Sequence, residues 1–336
     1  MVVFWCTLLG FMFHLAEILA DQPRNDVCQD TGREEFGWAL IGHDYKSSTA
    51  ESFGRCFFDC SLDEKCQSTT FLWNTKECKL KKETRTSRPI DMEQNPAATY
   101  MENPYRAKKG SKASVPGSSC KDILTSGEAQ GNGGYWIDPT DSGDPFKVFC
   151  DMNSYGGGWL LISRFIMETS DSINDISSST DSYRTILPAY ASNSQYLLRN
   201  GFNQLKQDMG FTQIRLYCFK KTRGRVFHIM TKEDDTKGAN VVKFFTSSNN
   251  MPKACGSFSR LPDDNSSLAV HCDKWGYPNT DRWGHGNMLT DSRLFSRPMT
   301  LASVPRFYRL KGPKYQCDDN DELNPSIGDT WQVFVR

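Results

Sequence analysis

Twelve cysteines in a chain of 336 residues restrict what this sequence can fold into more than any other feature. They stand at Cys6, Cys28, Cys56, Cys60, Cys66, Cys78, Cys120, Cys150, Cys218, Cys255, Cys272 and Cys317. No two are spaced as CxxC and only five histidines accompany them, so a structural zinc site lacks its ligand pattern. Disulfides in an oxidising compartment are the expected use. The N-terminus agrees: residues 1–20 carry an apolar stretch from Val2 to Phe13 and turn polar towards Asp21, which reads as a secretory signal peptide cut near Ala20. No other segment reaches the length of a membrane span. Removing the leader takes Cys6 with it and leaves an odd number of cysteines, hence one thiol that is free or bridged to another chain.

The charge balance excludes some partners. Forty Lys and Arg against forty Asp and Glu give a formal net charge of zero, with no basic footprint for nucleic acid and no long acidic run for mineral capture. The length suggests two domains, and residues 103–119 (NPYRAKKGSKASVPGSS), without apolar periodicity, read as the linker between them. The serine-rich run at 170–182 reads as a surface loop.

In the N-terminal block, Ser48 and Glu51 have capping-box spacing. Phe53, Cys56, Phe57 and Cys60 then follow at helical spacing. The segment from Cys66 to Trp73 predicts a strand, residues 74–76 a turn, and Glu77–Leu80 the returning strand. The order CFFDC, Cys66, FLWNTKECKL and AATYME resembles the PAN/apple family over roughly residues 24–102, within an expected domain of 21–102. That resemblance implies a helix on an antiparallel sheet with bridges Cys56–Cys78 and Cys60–Cys66, and leaves Cys28 as the odd thiol, unpaired or intermolecular.

The C-terminal block, residues 120–336, opens on SSCKDILTSGEAQGNGGYWIDP and runs to PFKVFCDMNSYGGGWLLISR. Lys147–Cys150 and Trp159–Ile162 predict strands, and Gly156, Gly157 and Gly158 supply the backbone freedom that the turn between them needs. These motifs resemble the fibrinogen-like domain family, which implies a mixed α+β fold and the bridge Cys120–Cys150. The remaining cysteines pair by order alone as Cys218–Cys255 and Cys272–Cys317. The whole chain is thus expected to be α+β: a small disulfide-stapled domain followed by a larger mixed one.

Three features of the second block bear on function. Asp263 and Asp264 occupy the position of the family's calcium loop, and calcium favours several oxygen ligands in such a loop. The acidic run Asp318–Glu322 is a second, family-independent candidate. Asn265-Ser266-Ser267 is the chain's single N-glycosylation sequon and overlaps the first loop. Trp275, Tyr277, Trp283, His285 and Asn287 lie close together in sequence and are candidates for a carbohydrate or peptide pocket. No GxSxG or HExxH pattern is present, and His228, His271 and His285 match no nucleophile at an informative spacing, so no enzyme is expected.

The expected function is that of a secreted recognition or adhesion protein holding glycans or matrix proteins without covalent chemistry, with calcium as a candidate cofactor and a disulfide-linked oligomer as a candidate assembly. The alternative is a structural component of an extracellular organic matrix. The two-module arrangement is similar to secreted cnidarian proteins, some found in coral skeletal organic matrix.

Overall fold

The computed structural model describes residues 34–169, 182–276, 279–284, 292–301, 306–311, 314–319 and 325–336. The expected leader over 1–20, Cys28, the serine-rich run up to residue 181, Tyr277, His285, Asn287 and Asn320–Glu322 lie outside the described residues. The chain divides into two compact units between Arg106 and Ala107.

The first unit is one helix on a five-stranded antiparallel sheet. Its strands are β1 (Glu35–Leu40), β2 (Asp44–Thr49), β3 (Ser68–Leu72), β4 (Glu77–Lys81) and β5 (Met92–Glu102), in the spatial order β1-β5-β3-β4-β2. The helix α1 (Phe53–Leu62) is capped by Ser52, whose side chain accepts a hydrogen bond from the Arg55 backbone N–H. Ser48, the expected cap, is instead paired with Cys78 in the β2–β4 ladder. Helix α1 buries Phe53, Cys56 and Cys60. Its cysteines are bridged to the sheet side by Cys56–Cys78 and to the following loop by Cys60–Cys66, with Cα separations of 5.4 and 5.2 Å.

The second unit is built on an eight-stranded antiparallel sheet. Its strands are β6 (Gly133–Ile137), β7 (Phe146–Asp151), β8 (Trp159–Ile166), β9 (Ser194–Gln195), β10 (Ile214–Lys220), β11 (Arg225–Thr231) and β12 (Phe258–Arg260). A separate three-stranded sheet holds β13 (Met299–Leu301), β14 (Arg306–Lys311) and β15 (Lys314–Asp319), and the closing strand β16 (Thr330–Val335) returns to the large sheet. The large sheet runs β12-β11-β10-β16-β8-β7-β6, with β9 against β8. Helices α2 (Cys120–Thr125), α3 (Tyr183–Ile186), α4 (Arg199–Met209), α5 (Thr236–Thr246) and α6 (Ser267–Val270) complete it. The run Trp159–Ile162 is apolar throughout because both faces of β8 are covered: Leu160 and Ile162 join the main core, while Trp159 and Leu161 form a smaller cluster with Phe334. Gly157 (φ +65°) shows why the preceding turn is glycine-rich, since a Cβ there would stand 2.1 Å from the Met152 carbonyl oxygen.

Two expectations are corrected. Cys218 is bridged to Cys317 and Cys255 to Cys272, not Cys218 to Cys255 and Cys272 to Cys317. Cys218 sits on central strand β10, whereas Cys255 precedes β12, two strand positions away across β11. Two strand spacings amount to about 10 Å, beyond the reach of a disulfide; β15 supplies the nearer partner, with a Cα separation of 5.8 Å. Residues 107–119 are also not a linker but the first layer of the second unit. Gly110 donates to Val115 O at 2.7 Å and accepts from Trp136 N at 2.8 Å, while Gly117 donates to Trp136 O and accepts from Asp138 N. Asn103, at the other end of the expected linker, belongs to the first unit through its side-chain bond to Cys66 O at 3.0 Å.

Candidate functional site

The acidic loop after β12 is tied to the sheet by its own carboxylates. Asp263 accepts from His228 Nδ1 at 2.8 Å and from the Tyr155 hydroxyl at 2.8 Å. Burial works against ionisation of Asp263, but these two hydrogen bonds outweigh it and hold its carboxyl below the ordinary carboxylate range. His228 stands edge-on between Tyr155 and Tyr217, at ring separations of 5.0 and 4.9 Å. Burial pushes its imidazole below the usual histidine value, against the opposing pull of the Asp263 carboxylate. The Asp264 side chain is buried and accepts from the His228 backbone N–H at 2.7 Å, from Ser266 and from Arg260, whose guanidinium lies 2.8 Å away.

This donor set does not fit a calcium ion. Both carboxylates are met by protein donors, one of them a guanidinium, and a cation would have to displace them. Among the described residues no group of three or more His, Cys, Asp or Glu is arranged to hold a metal. The second acidic run is likewise structural where it is described. Asp318 accepts from the backbone N–H groups of Ser267 and Leu268 at 2.8 and 2.7 Å, and Asp319 faces Lys220 at 3.1 Å. Asn265 is exposed; its side chain accepts from Val226 N and donates to Gly224 O, which ties the loop to β11.

The expected aromatic pocket is core. Trp275 and Trp283 are both 0% exposed. Trp275 stacks on Phe258 at 5.0 Å and meets Trp283 edge-on at 5.1 Å, and Phe245 closes the other side of Trp283. Their indole N–H groups are used internally, by Leu268 O at 2.7 Å and Ser257 Oγ at 2.9 Å. Neither ring offers a face to a ligand.

Exposed apolar surface lies elsewhere. Of nine large apolar side chains exposed among the described residues, seven belong to the first unit. Phe58 (50% exposed) and Leu62 (70%) are one helical turn apart on the outer side of α1. Each follows a buried cysteine by two residues, a rotation of about 200°, so the pair was readable from the same helical spacing that places Cys56 and Cys60 inside. Arg55 lies 5.5 Å over the Phe58 ring. At the other end of the sheet, Phe36 (62%) on edge strand β1 and Trp73 (47%) are both near Thr99: Phe36 is its cross-strand neighbour and Trp73 Nε1 donates to its hydroxyl at 2.9 Å. Beside α1, between it and β2, runs an open groove of ≈ 810 Å³ with Leu62 on its wall.

Comparison with known proteins finds different likenesses in the first unit and beyond it. The model of the PAN domain matches residues 36–105, and that of the fibrillar collagen C-terminal domain matches 99–209. The fibrinogen beta chain of Petromyzon marinus is 38% identical over 61 residues, which cover 18% of this chain and 13% of that protein. Fibrinogen-like protein A of Apostichopus parvimensis is 24% identical over 216 residues, covering 61% of this chain and 71% of its own. Among solved structures, the fibrinogen-like globe domains of human ANGPTL2 and ANGPTL6 cover 66% of this chain and 99% and 95% of theirs, at 12% and 15% identity and TM-scores of 0.35 and 0.32.

Domains of these kinds suggest extracellular binding of proteins or ligands and are typically non-enzymatic. Five disulfides fit a secreted protein, and among the described residues no helix is long and apolar enough to cross a membrane. By its motifs, its disulfides and the sequence matches, the chain carries a PAN domain followed by a fibrinogen-like C-terminal domain.

Proposed function

We propose that this is a secreted recognition or adhesion protein that takes a protein ligand on its PAN domain, without calcium. The observation that carries the reading is the uneven distribution of apolar surface: the PAN domain holds seven of the nine exposed large apolar side chains, while Trp275 and Trp283 of the fibrinogen-like domain are sealed in its core. Exposed aromatic and aliphatic anchors beside polar groups are what a protein interface uses. Calcium is left out because the oxygens of Asp263 and Asp264 already have protein donors. Asn265, exposed on its loop, is proposed to carry a glycan, and a mobility shift on treatment with an N-glycosidase would establish it.

The test is an array of purified matrix proteins and glycans, probed with the full secreted chain in calcium and again in chelator. Retention on protein spots in both conditions supports the proposal. Retention on glycan spots that disappears with chelator overturns it in favour of a calcium-dependent lectin.

The match to the fibrillar collagen C-terminal domain favours a second reading, a matrix scaffold. All ten described cysteines are bridged within the chain. If the leader proposed over 1–20 is removed with Cys6, a covalent network would depend on Cys28, which links chains only in pairs. Disulfide-linked dimers with a blank array would support that reading.

A further inference from the structure

Among the described residues, strand β2 closes one end of the PAN sheet and pairs with β4 alone. The ladder is anchored where Ala50 N donates to Lys76 O at 2.9 Å, and the pairing continues through Ser48–Cys78 and Lys46–Leu80. In an antiparallel ladder only alternate residues bond to the neighbouring strand. Counting from Ala50, Ser48 and Lys46 bond to β4, which leaves the N–H and C=O groups of Ser47 and Thr49 pointing away from the sheet. The side chains of Lys46 and Ser48 share a face with Ala50, which is buried in the core beneath α1, so they stand on the helix side. That is where the ≈ 810 Å³ groove runs, between the free edge and the helix. Its wall carries four carboxylates, from Glu51, Asp59, Asp63 and Glu64, against two cations, from Lys46 and Arg55. Leu62 supplies an apolar contact at the helix end of the same wall.

We infer that this edge and groove form a binding site for an extended, basic segment of a partner protein, which adds a sixth strand to the sheet beside β2. An edge strand lying next to a helix offers main-chain hydrogen bonds for affinity and a groove for alternate side chains. The excess of carboxylates selects a basic segment. The same charge disfavours a second copy of this chain as occupant, because two β2 edges paired antiparallel would bring two acidic grooves and two Lys46 side chains together. With six residues in β2, the added strand is about 5–6 residues long. The inference rests on the recognition role proposed for the PAN domain and gives its partner a chemistry.

The probe is a capped octapeptide alternating lysine with valine or leucine, offered to the full-length chain, with an otherwise identical glutamate-for-lysine peptide as control. Backbone hydrogen exchange reads the site. The Ser47 and Thr49 amides exchange quickly in the free chain and become protected with the lysine peptide, but not with the glutamate peptide. Glu51→Lys weakens binding about fivefold. Thr49→Pro, which removes an outward N–H and leaves the β4 ladder intact, weakens it about tenfold with unchanged thermal unfolding; if this variant does not fold, Glu51→Lys and the exchange pattern still decide. Equal binding of the two peptides, binding without protection of Ser47 and Thr49, or no binding overturns the inference. The array result stands apart: protein partners on the array with no peptide effect at β2 would leave the recognition role in place and remove this site from it.

Discussion

The two units hold themselves together in different ways. In the PAN unit the core cluster has nine residues, and four of them are the bridged cysteines Cys56, Cys60, Cys66 and Cys78. Among the described residues of the fibrinogen-like unit the main cluster has 45 residues, and only four are bridged cysteines. A small domain cannot bury enough apolar surface to be stable by that alone, and covalent links compensate. The lesson is functional as well. A unit stapled by disulfides can leave Phe58, Leu62 and Trp73 outside, whereas the larger unit draws its tryptophans into packing. Even on the outer face of its large sheet the second unit covers aromatics: Arg215 lies 4.1 Å over Phe334 and 5.0 Å over Trp159 while paired with Asp151 at 2.6 Å.

The contrast can be broken by removing what each unit depends on. Trp283→Ala should destabilise the fibrinogen-like unit by about 3–5 kcal/mol, the usual cost of deleting a large core aromatic, and leave the PAN unit folded. Denaturant titration followed by limited proteolysis reads both. A stable Trp283→Ala that loses only ligand binding would return this ring to the pocket. Next, replacing Cys56 and Cys78 together by alanine should cost about 3 kcal/mol and unfold the PAN unit. The same treatment of Cys255 and Cys272, which close a similar loop of 17 against 22 residues, should lower the melting temperature of the larger unit without unfolding it. Equal tolerance in the two units would contradict the division between stapled and packed cores.

A smaller effect comes from His228. Burial lowers its pKa in the folded chain, so the unfolded chain binds the proton more readily. The associated stability is complete above about pH 6.5, the ordinary histidine value, and is lost as the pH falls below it, with a slope of at most about 1.4 kcal/mol per pH unit. His228→Gln should flatten that slope in urea titrations between pH 7 and 5. The smallest change in stability belongs to Leu62→Lys, which should shift unfolding by no more than about 0.5 kcal/mol, as at most exposed positions.

Much of this architecture was legible from the cysteines and the strand motifs: helix α1 with Cys56 and Cys60 on its inner face, the β3–β4 hairpin, and strands β7 and β8 around the glycine turn. What was not legible depended on partners distant in sequence. Ser48 has the local spacing of a helix cap, yet pairing with Cys78 in the sheet takes it and leaves the cap to Ser52. The composition of 103–119 reads as a linker, but its glycines serve close packing: a Cβ on Gly110 or Gly117 would stand 2.5 or 2.4 Å from the Ile123 side chain. The order of cysteines could not foresee that β15 crosses to Cys218. Nor could spacing separate a tryptophan pocket from a tryptophan core, because both need the same residues close together.

The central claim is that recognition belongs to the outer surface of the PAN domain and not to the aromatic cluster of the fibrinogen-like domain. The most direct measurement compares full-length wild type and Leu62→Lys, by surface plasmon resonance, on a protein partner taken from the array, with calcium and with chelator. The account predicts that Leu62→Lys loses most of the affinity at unchanged melting temperature, and that chelator has no effect on either chain. Wild-type affinity in Leu62→Lys, together with loss of binding in chelator, would contradict it.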